Sequence, residues 1–374
     1  MMKQSTWNDL GVTTSLLGFG CMRFPVTAEG TIDEEQSSAM LEAARAAGVN
    51  YFDTAWFYHS GESENFLGRF LQRWDRDSFY LATKMPPREG MSLELAKETF
   101  ATQCAKLQTD HFDFYLLHSM TGERYKQFKE LGIVDWCAQL KAEGKIKYLG
   151  FSFHDDYEAF ETIVNDRDWD FCQIQYNYMD TDVQAGDKGY ALTVEKNLPV
   201  IVMEPVKGGT LASLPDEAAA PLKALRPDAS MASWALRWVG SHPNVKMILS
   251  GMSSMEQVQD NLATFTNFEP LSEAEAAAVS EAKAILLSRV RNGCTGCRYC
   301  MPCPAGVNIP GNFSLWNSYG MYQNTESAKK RWAGMDAEKK PANCIECGAC
   351  EAACPQHLSI REDLKRMQAE MEAL

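Results

Sequence analysis

The sequence predicts an α/β barrel followed by a small, mainly helical, cysteine-rich segment, and three observations carry that prediction. From Leu16 to Phe265, short apolar runs rich in Val, Ile, Phe and Tyr alternate with amphipathic stretches, the pattern of strand-helix units that build a parallel sheet. About eight such units fit into about 250 residues, which suits a TIM (β/α)8 barrel better than a doubly wound sheet. Eight of the 12 cysteines lie in the last 81 of the 374 residues, so the chain divides chemically in two.

Taken in order, the segment before Leu16 is expected to form a small hairpin that plugs the barrel floor. Strands are expected at 16–21, 50–53, 79–84, 112–117, 146–151, 171–175, 200–203 and 245–249. A helix over 33–47 is opened by Asp33 as its N-cap and closed by Gly48. Beyond Phe268 the alternation stops, and 272–290 reads as an Ala- and Glu-rich helix. The stretch 308–340 has few β-branched residues and reads as short helices. The expected domains are a barrel over 1–290 and a cysteine domain over 291–374.

Composition narrows the function classes. Hydrophobic residues make up 45% and charged residues 23%, as in an ordinary globular protein. The formal charge of −14 opposes association with nucleic acid or an anionic membrane. Neither a secretory leader nor a membrane-length apolar run is present, so a cytoplasmic location is expected. Disulfides are reduced there, which leaves the cysteines needing another role. Cys21, Cys104, Cys137 and Cys172 are scattered and read as small buried hydrophobes.

The remaining eight form two runs, Cys294-x-x-Cys297-x-x-Cys300-x-x-Cys303-Pro304 and Cys344-x-x-Cys347-x-x-Cys350-x-x-x-Cys354-Pro355. Thiolates at i, i+3 and i+6 wrap three corners of an iron-sulfur cube, and a remote cysteine followed by proline completes the fourth. A zinc site uses two separated Cys pairs and has no place for a third cysteine at i+6. Two 4Fe-4S clusters are therefore expected. The second run resembles the bacterial two-cluster ferredoxin motif, while the first is one residue short before Cys303. In that family each run's fourth cysteine serves the other cluster. The resemblance implies one cluster on Cys294, Cys297, Cys300 and Cys354, and another on Cys344, Cys347, Cys350 and Cys303. The length between the runs makes the module similar to helical ferredoxins.

In a barrel of this kind chemistry gathers at the C-terminal ends of the strands. Asp53, Lys84 and His118 stand at three such ends, with Tyr58 five residues past Asp53. Together they supply an ionisable phenol beside a cation, an anion to hold that cation, and an imidazole to orient a substrate. That is a proton-donor site for an oxygen acquiring charge.

With Asp53-Thr54-Ala55, Tyr58, Gly61-Glu62-Ser63-Glu64, Lys84, Leu116-Leu117-His118 and the earlier Leu17-Gly18-Phe19-Gly20-Cys21-Met22, the barrel resembles an aldo-keto reductase. The resemblance implies carbonyl/alcohol interconversion with NADP or NAD, without a metal at that site. It assigns Tyr58 as general acid, Lys84 as the cation that lowers its pKa, Asp53 as partner of Lys84, and His118 as guide for the carbonyl. It places Ser152 and Gln173 on the nicotinamide carboxamide, with Phe153 where the family has Asn. Met203, with Glu204 and Val206, takes the place of the ring-stacking Tyr. Met22 and Asp53 complete that end of the cofactor site. Gly251, Ser253, Gln257 and Asn261 fall at a helix N-terminus suited to phosphates. A 2′-phosphate calls for Lys or Arg, and Lys207 is the available substitute. Trp56 and Phe57 flank Tyr58 as possible walls of the substrate pocket. Two rival readings remain at this point: electron transfer linking the clusters to a flavin or redox-protein partner, and a nucleotide-binding redox sensor without turnover.

Overall fold

The computed structural model describes residues 1–7 and 10–374. Eight parallel strands close into a barrel: β3 (Leu17–Gly20), β4 (Tyr51–Asp53), β5 (Tyr80–Met85), β6 (Phe112–Met120), β7 (Ile146–Phe153), β8 (Phe171–Gln175), β9 (Val200–Met203) and β10 (Val245–Ser250), with β10 pairing both β9 and β3. Ahead of them β1 (Gln4–Trp7) and β2 (Val12–Ser15) pair antiparallel as the expected hairpin. Trp7 is fully buried, with its ring 5.2 Å from Phe114 and 6.2 Å from Phe171, in a cluster with Tyr51, Ile201 and Met247. This aromatic plug fills one end of the barrel, because parallel strands with both faces covered need apolar residues inward as well as outward.

Each strand lies within a few residues of its expected place. The larger departures are β6 and β7, which run on to Met120 and Phe153 and pair those two residues after a bulge. The apolar pattern stops at Leu117 and Phe151, so polar residues at the rim are carried on ordered strand rather than on loop. The first barrel helix, Glu34–Ala46, starts as expected: the Asp33 side chain accepts the Gln36 N–H.

Close contacts divide the chain into two compact units. One comprises Met1–Ala212 with Ser230–Glu273 and contains the barrel; the other comprises Ser213–Ala229 with Ala274–Leu374. The second unit is helical, including Glu273–Ser288, Ile309–Tyr322, Thr325–Ala333 and Ile360–Glu372. Its core is built from Phe313, Leu315, Trp316, Ile360, Leu364 and Met367. Trp316 donates to Glu370 at 2.6 Å, tying two of these helices together. Among the described residues no helix is long and apolar enough to cross a membrane.

Candidate functional site

The barrel brings Asp53, Tyr58, Lys84 and His118 together. Asp53 ends β4 and Lys84 lies in β5, the strand paired beside it. Lys84 is completely buried, and its ammonium donates to Asp53 Oδ1 at 2.6 Å, to the Thr54 carbonyl at 2.8 Å and to the Tyr58 hydroxyl at 3.3 Å. Three acceptors for three donors satisfy the ammonium fully, which is what permits a buried lysine to stay charged. Burial opposes that charge, but Asp53 and Tyr58 outweigh it and hold the Lys84 pKa above its usual value.

Tyr58 also lies against this cation through its ring face, 4.9 Å from centroid to Nζ. Burial pushes the phenol pKa up; the Lys84 ammonium pulls it down as expected but does not win. The phenol is therefore protonated at neutral pH, the form a proton donor needs. His118 packs edge-on to Tyr58 at 6.1 Å and under Phe57 at 6.4 Å. Burial, then the nearby Lys84, pushes the His118 pKa well below 6.5, so the ring is neutral. The turn that follows Tyr58 is strained: His59, Ser60 and Gly61 have φ of +51°, +56° and +94°. His59 pins it by accepting the Phe24 N–H on Nε2 at 3.1 Å.

Beneath Lys84 lies a buried polar net that the sequence did not reveal. Gln103 donates to the Lys84 carbonyl at 2.9 Å and to Glu64 at 2.8 Å, and accepts from the Tyr115 hydroxyl at 2.7 Å. Glu64 also accepts from Thr83 at 2.7 Å. Gln103 sits amid a helix of otherwise ordinary pattern, and only its full burial distinguishes it.

The expected cofactor residues occupy the same rim. Ser152 and Gln173 lie opposite each other in register on β7 and β8, both buried. Ser152 Oγ accepts the Ser119 N–H at 2.7 Å, which leaves its own proton to donate. Gln173 Nε2 contacts Met203 Sδ at 3.4 Å, while its Oε1 is buried with no partner among the described residues. A primary carboxamide, with both a donor and an acceptor, fits this pair. Phe153 is a core residue packed 5.0 Å from Phe160. Glu204 follows Met203 with φ of +53°, and Val206 packs against the barrel core.

Ser253 and Gln257 meet at the N-terminus of helix Met255–Thr266, whereas Asn261 stands in its second turn, buried. Gln257 Oε1 accepts the Ser253 N–H at 2.8 Å, and Asn261 donates to Ser250 at 2.6 Å. Lys207 is tied to Asp180 in an ion pair, so it is not the free cation the sequence offered. A different cation stands there. Arg23 runs alongside Gly251, where an added Cβ would come within 3.2 Å of its side chain, and its guanidinium lies 3.6 Å from the Cβ position of Gly208. Its carbonyl accepts from Ser253 at 2.7 Å. Met22, the neighbour of Arg23, is exposed. Of the two aromatics beside Tyr58, Phe57 is 51% exposed over His118, whereas Trp56 is held between Arg88 and Lys106 at 4.7 and 4.2 Å. A cavity of 560 Å³ elsewhere on the barrel, lined by Leu71, Trp74 and Cys104 among others, contains none of these groups.

In the helical unit the thiols sort across the two runs. Cys294, Cys297, Cys300 and Cys354 line one cavity, closed by Ile309, Phe313 and Ile360. Cys303, Cys344, Cys347 and Cys350 line another of 240 Å³, which Cys300 also touches. None of the twelve cysteines is joined to another in a disulfide. Among the described residues no three His, Cys, Asp or Glu side chains converge closely enough to hold a single ion. Four thiols around an apolar hollow suit the corners of a cluster, whose irons each take one ligand.

Residues 16–284 match the family model of the aldo/keto reductase family. The chain belongs to that family. Residues 293–358 match a 4Fe-4S dicluster domain, so this aldo/keto reductase carries an iron-sulfur domain C-terminal to its barrel in sequence. It is 27% identical over 307 residues to an uncharacterized oxidoreductase, YqkF, of Bacillus subtilis, covering 73% of this chain and 93% of that protein. It is 24% identical over 327 residues to the NADH-specific methylglyoxal reductase of Escherichia coli, covering 75% and 98%. Among solved structures, the holo form of aldo-keto reductase AKR11C1 from Bacillus halodurans superposes with a TM-score of 0.62 at 27% identity, covering 75% of this chain and 96% of that one. The protein is an oxidoreductase of aldo-keto reductase type.

Proposed function

We propose that this reductase interconverts small-molecule carbonyls and alcohols with NADPH or NADH, using Tyr58 as proton donor, and that its helical unit holds two 4Fe-4S clusters. The observation that carries the reading is the buried Lys84 ammonium shared among Asp53, Thr54 and Tyr58. Nicotinamide supplies a hydride to the carbonyl carbon when bound. Tyr58 gives its phenolic proton to the carbonyl oxygen, and Lys84, held charged by Asp53, stabilises the phenolate left behind. Neutral His118 donates a hydrogen bond that orients the same oxygen without contributing a competing charge. Ser152 and Gln173 would hold the carboxamide, with Met203 against the ring and Met22, Glu204 and Val206 around it. Gly251, Ser253, Gln257, Asn261 and Arg23 would hold the phosphates.

The cavity linings support one cluster on Cys294, Cys297, Cys300 and Cys354 and a second on Cys344, Cys347, Cys350 and Cys303. Cys297 and Cys347 are exposed, which favours one-electron exchange with a flavin or a redox protein as a second activity of this unit. We place the protein in the cytoplasm, where thiols stay reduced. The test is anaerobic: nucleotide oxidation is followed against an aldehyde panel, with Tyr58→Phe as control. Aldehyde-dependent oxidation that Tyr58→Phe loses supports the reading; nucleotide binding without turnover of any carbonyl overturns it.

A further inference from the structure

Apart from Arg23 beside Gly251, the mouth of the barrel carries a second cation with donors to spare. Arg124 lies in the first turn of helix Gly122–Glu130, and its Nη1 donates to the Ser119 carbonyl at 2.8 Å and the Ser119 hydroxyl at 3.1 Å. Ser119 directly follows His118 and has φ of +56°, a left-handed conformation that a non-glycine residue keeps only when its surroundings impose it. Two ties impose it here: the Ser119 N–H to Ser152, and Arg124 on its other side. The guanidinium is thus anchored one residue from His118. Its Nε and Nη2 find no protein acceptor among the described residues, and the side chain is exposed.

Among the described residues no carboxylate pairs with Arg124, although Asp155 accepts the Gly122 N–H at 2.9 Å two residues away. Asp53 is matched by Lys84, and the carboxylate that acts on His154, next along this rim, is Glu204. His118 and His154 are both neutral through burial, and both feel Arg124 as a nearby positive charge. Phe57 supplies an exposed apolar wall over His118. A planar guanidinium with one edge fixed and the other open is suited to a carboxylate, which accepts two parallel N–H bonds.

We infer that the preferred substrate is a carbonyl compound that also bears a carboxylate, with Arg124 binding the carboxylate while Tyr58 and His118 engage the carbonyl oxygen. This rests on the carbonyl-reduction reading and names the substrate class for the same site. Arg124 is a specificity-determining residue in this assignment, anchored through Ser119 and fixed relative to the cofactor clamp by Ser152.

The experiment compares kcat/KM for glyoxylate, succinic semialdehyde and 4-carboxybenzaldehyde with that for the methyl ester of each, in wild type, Arg124→Gln and Arg124→Lys. The acid-to-ester ratio in at least one pair should favour the acid by about tenfold, fall by about tenfold in Arg124→Gln, mainly through KM, and recover in part in Arg124→Lys. The preference should also shrink as ionic strength rises. A merely structural role of Arg124 lowers both members of a pair together and leaves the ratio where it was. A second readout needs no turnover: calorimetric titration of the nucleotide-loaded protein with oxamate and with neutral oxamide should show selective loss of oxamate binding in Arg124→Gln. Reduction of esters as well as acids, with a ratio that Arg124→Gln does not move, overturns the inference and leaves the carbonyl-reduction reading standing. Reduction of neither class overturns that underlying reading.

Discussion

Replacing Tyr58 by Phe removes one oxygen and keeps the ring against the Lys84 ammonium. Carbonyl turnover should fall by roughly 100-fold or more, the usual contribution of a positioned acid, while nucleotide binding measured by fluorescence titration persists. Lys84→Met is a different kind of change, because it strands the buried Asp53 carboxylate. It should cost about 3–5 kcal/mol in chemical denaturation, and adding Asp53→Asn should return much of that loss. The histidines set a pH dependence. Burial lowers the pKa of His59, His118, His154 and His242, so below about pH 6.5 the unfolded chain takes up protons that the folded one refuses. Stability is then full above that pH and declines as pH falls toward the depressed folded values. His118→Gln should make the decline shallower, and an unchanged slope would remove His118 from it. Asp53, Lys84 and His118 were legible because polar residues at the ends of apolar runs stand out, and Tyr58 through its place five residues past Asp53 and the family resemblance. Gln103, Ser119, Arg23 and Arg124 were not, since their importance comes from burial, a positive φ or a contact made across loops distant in sequence.

Among the elements, the strands were readable to within a few residues because a parallel sheet covered on both faces leaves nearly unbroken apolar runs. Where β6 and β7 outran the reading, the extra residues include Ser119 and Ser152, polar groups that an apolar pattern takes for loop. The hairpin plug was readable as a segment. Its energetic centre, Trp7, emerges only from the packing, and Trp7→Ala should cost about 3–5 kcal/mol in thermal or denaturant melts. The cysteine runs were legible through their spacing and the division into ligand sets through the ferredoxin resemblance, and the cavity linings agree with that division. Cys354→Ala should damage the cluster on Cys294, Cys297 and Cys300. Electron paramagnetic resonance of the reduced variant reads this directly, and damage confined to the cluster on Cys344, Cys347 and Cys350 would falsify the crossed arrangement.

For the molecule as a whole, the proposed function puts two chemistries in one chain. A hydride carries two electrons and each cluster normally takes one, so passage from nicotinamide to cluster calls for an intermediary that separates the pair. The cluster absorbance should therefore hold steady when NADH or NADPH is added anaerobically to flavin-free protein, and rapid bleaching would reveal a direct route. The central assignment, hydride transfer to a carbonyl in the barrel, has a more direct test still. NADPH and NADH deuterated in turn at each face of nicotinamide C4 are mixed anaerobically with the protein and a carboxylate-bearing aldehyde, and the alcohol is analysed by mass spectrometry and proton NMR. One deuterium on the carbinol carbon, from one face only, is the predicted result; alcohol formed without label from either face would contradict it.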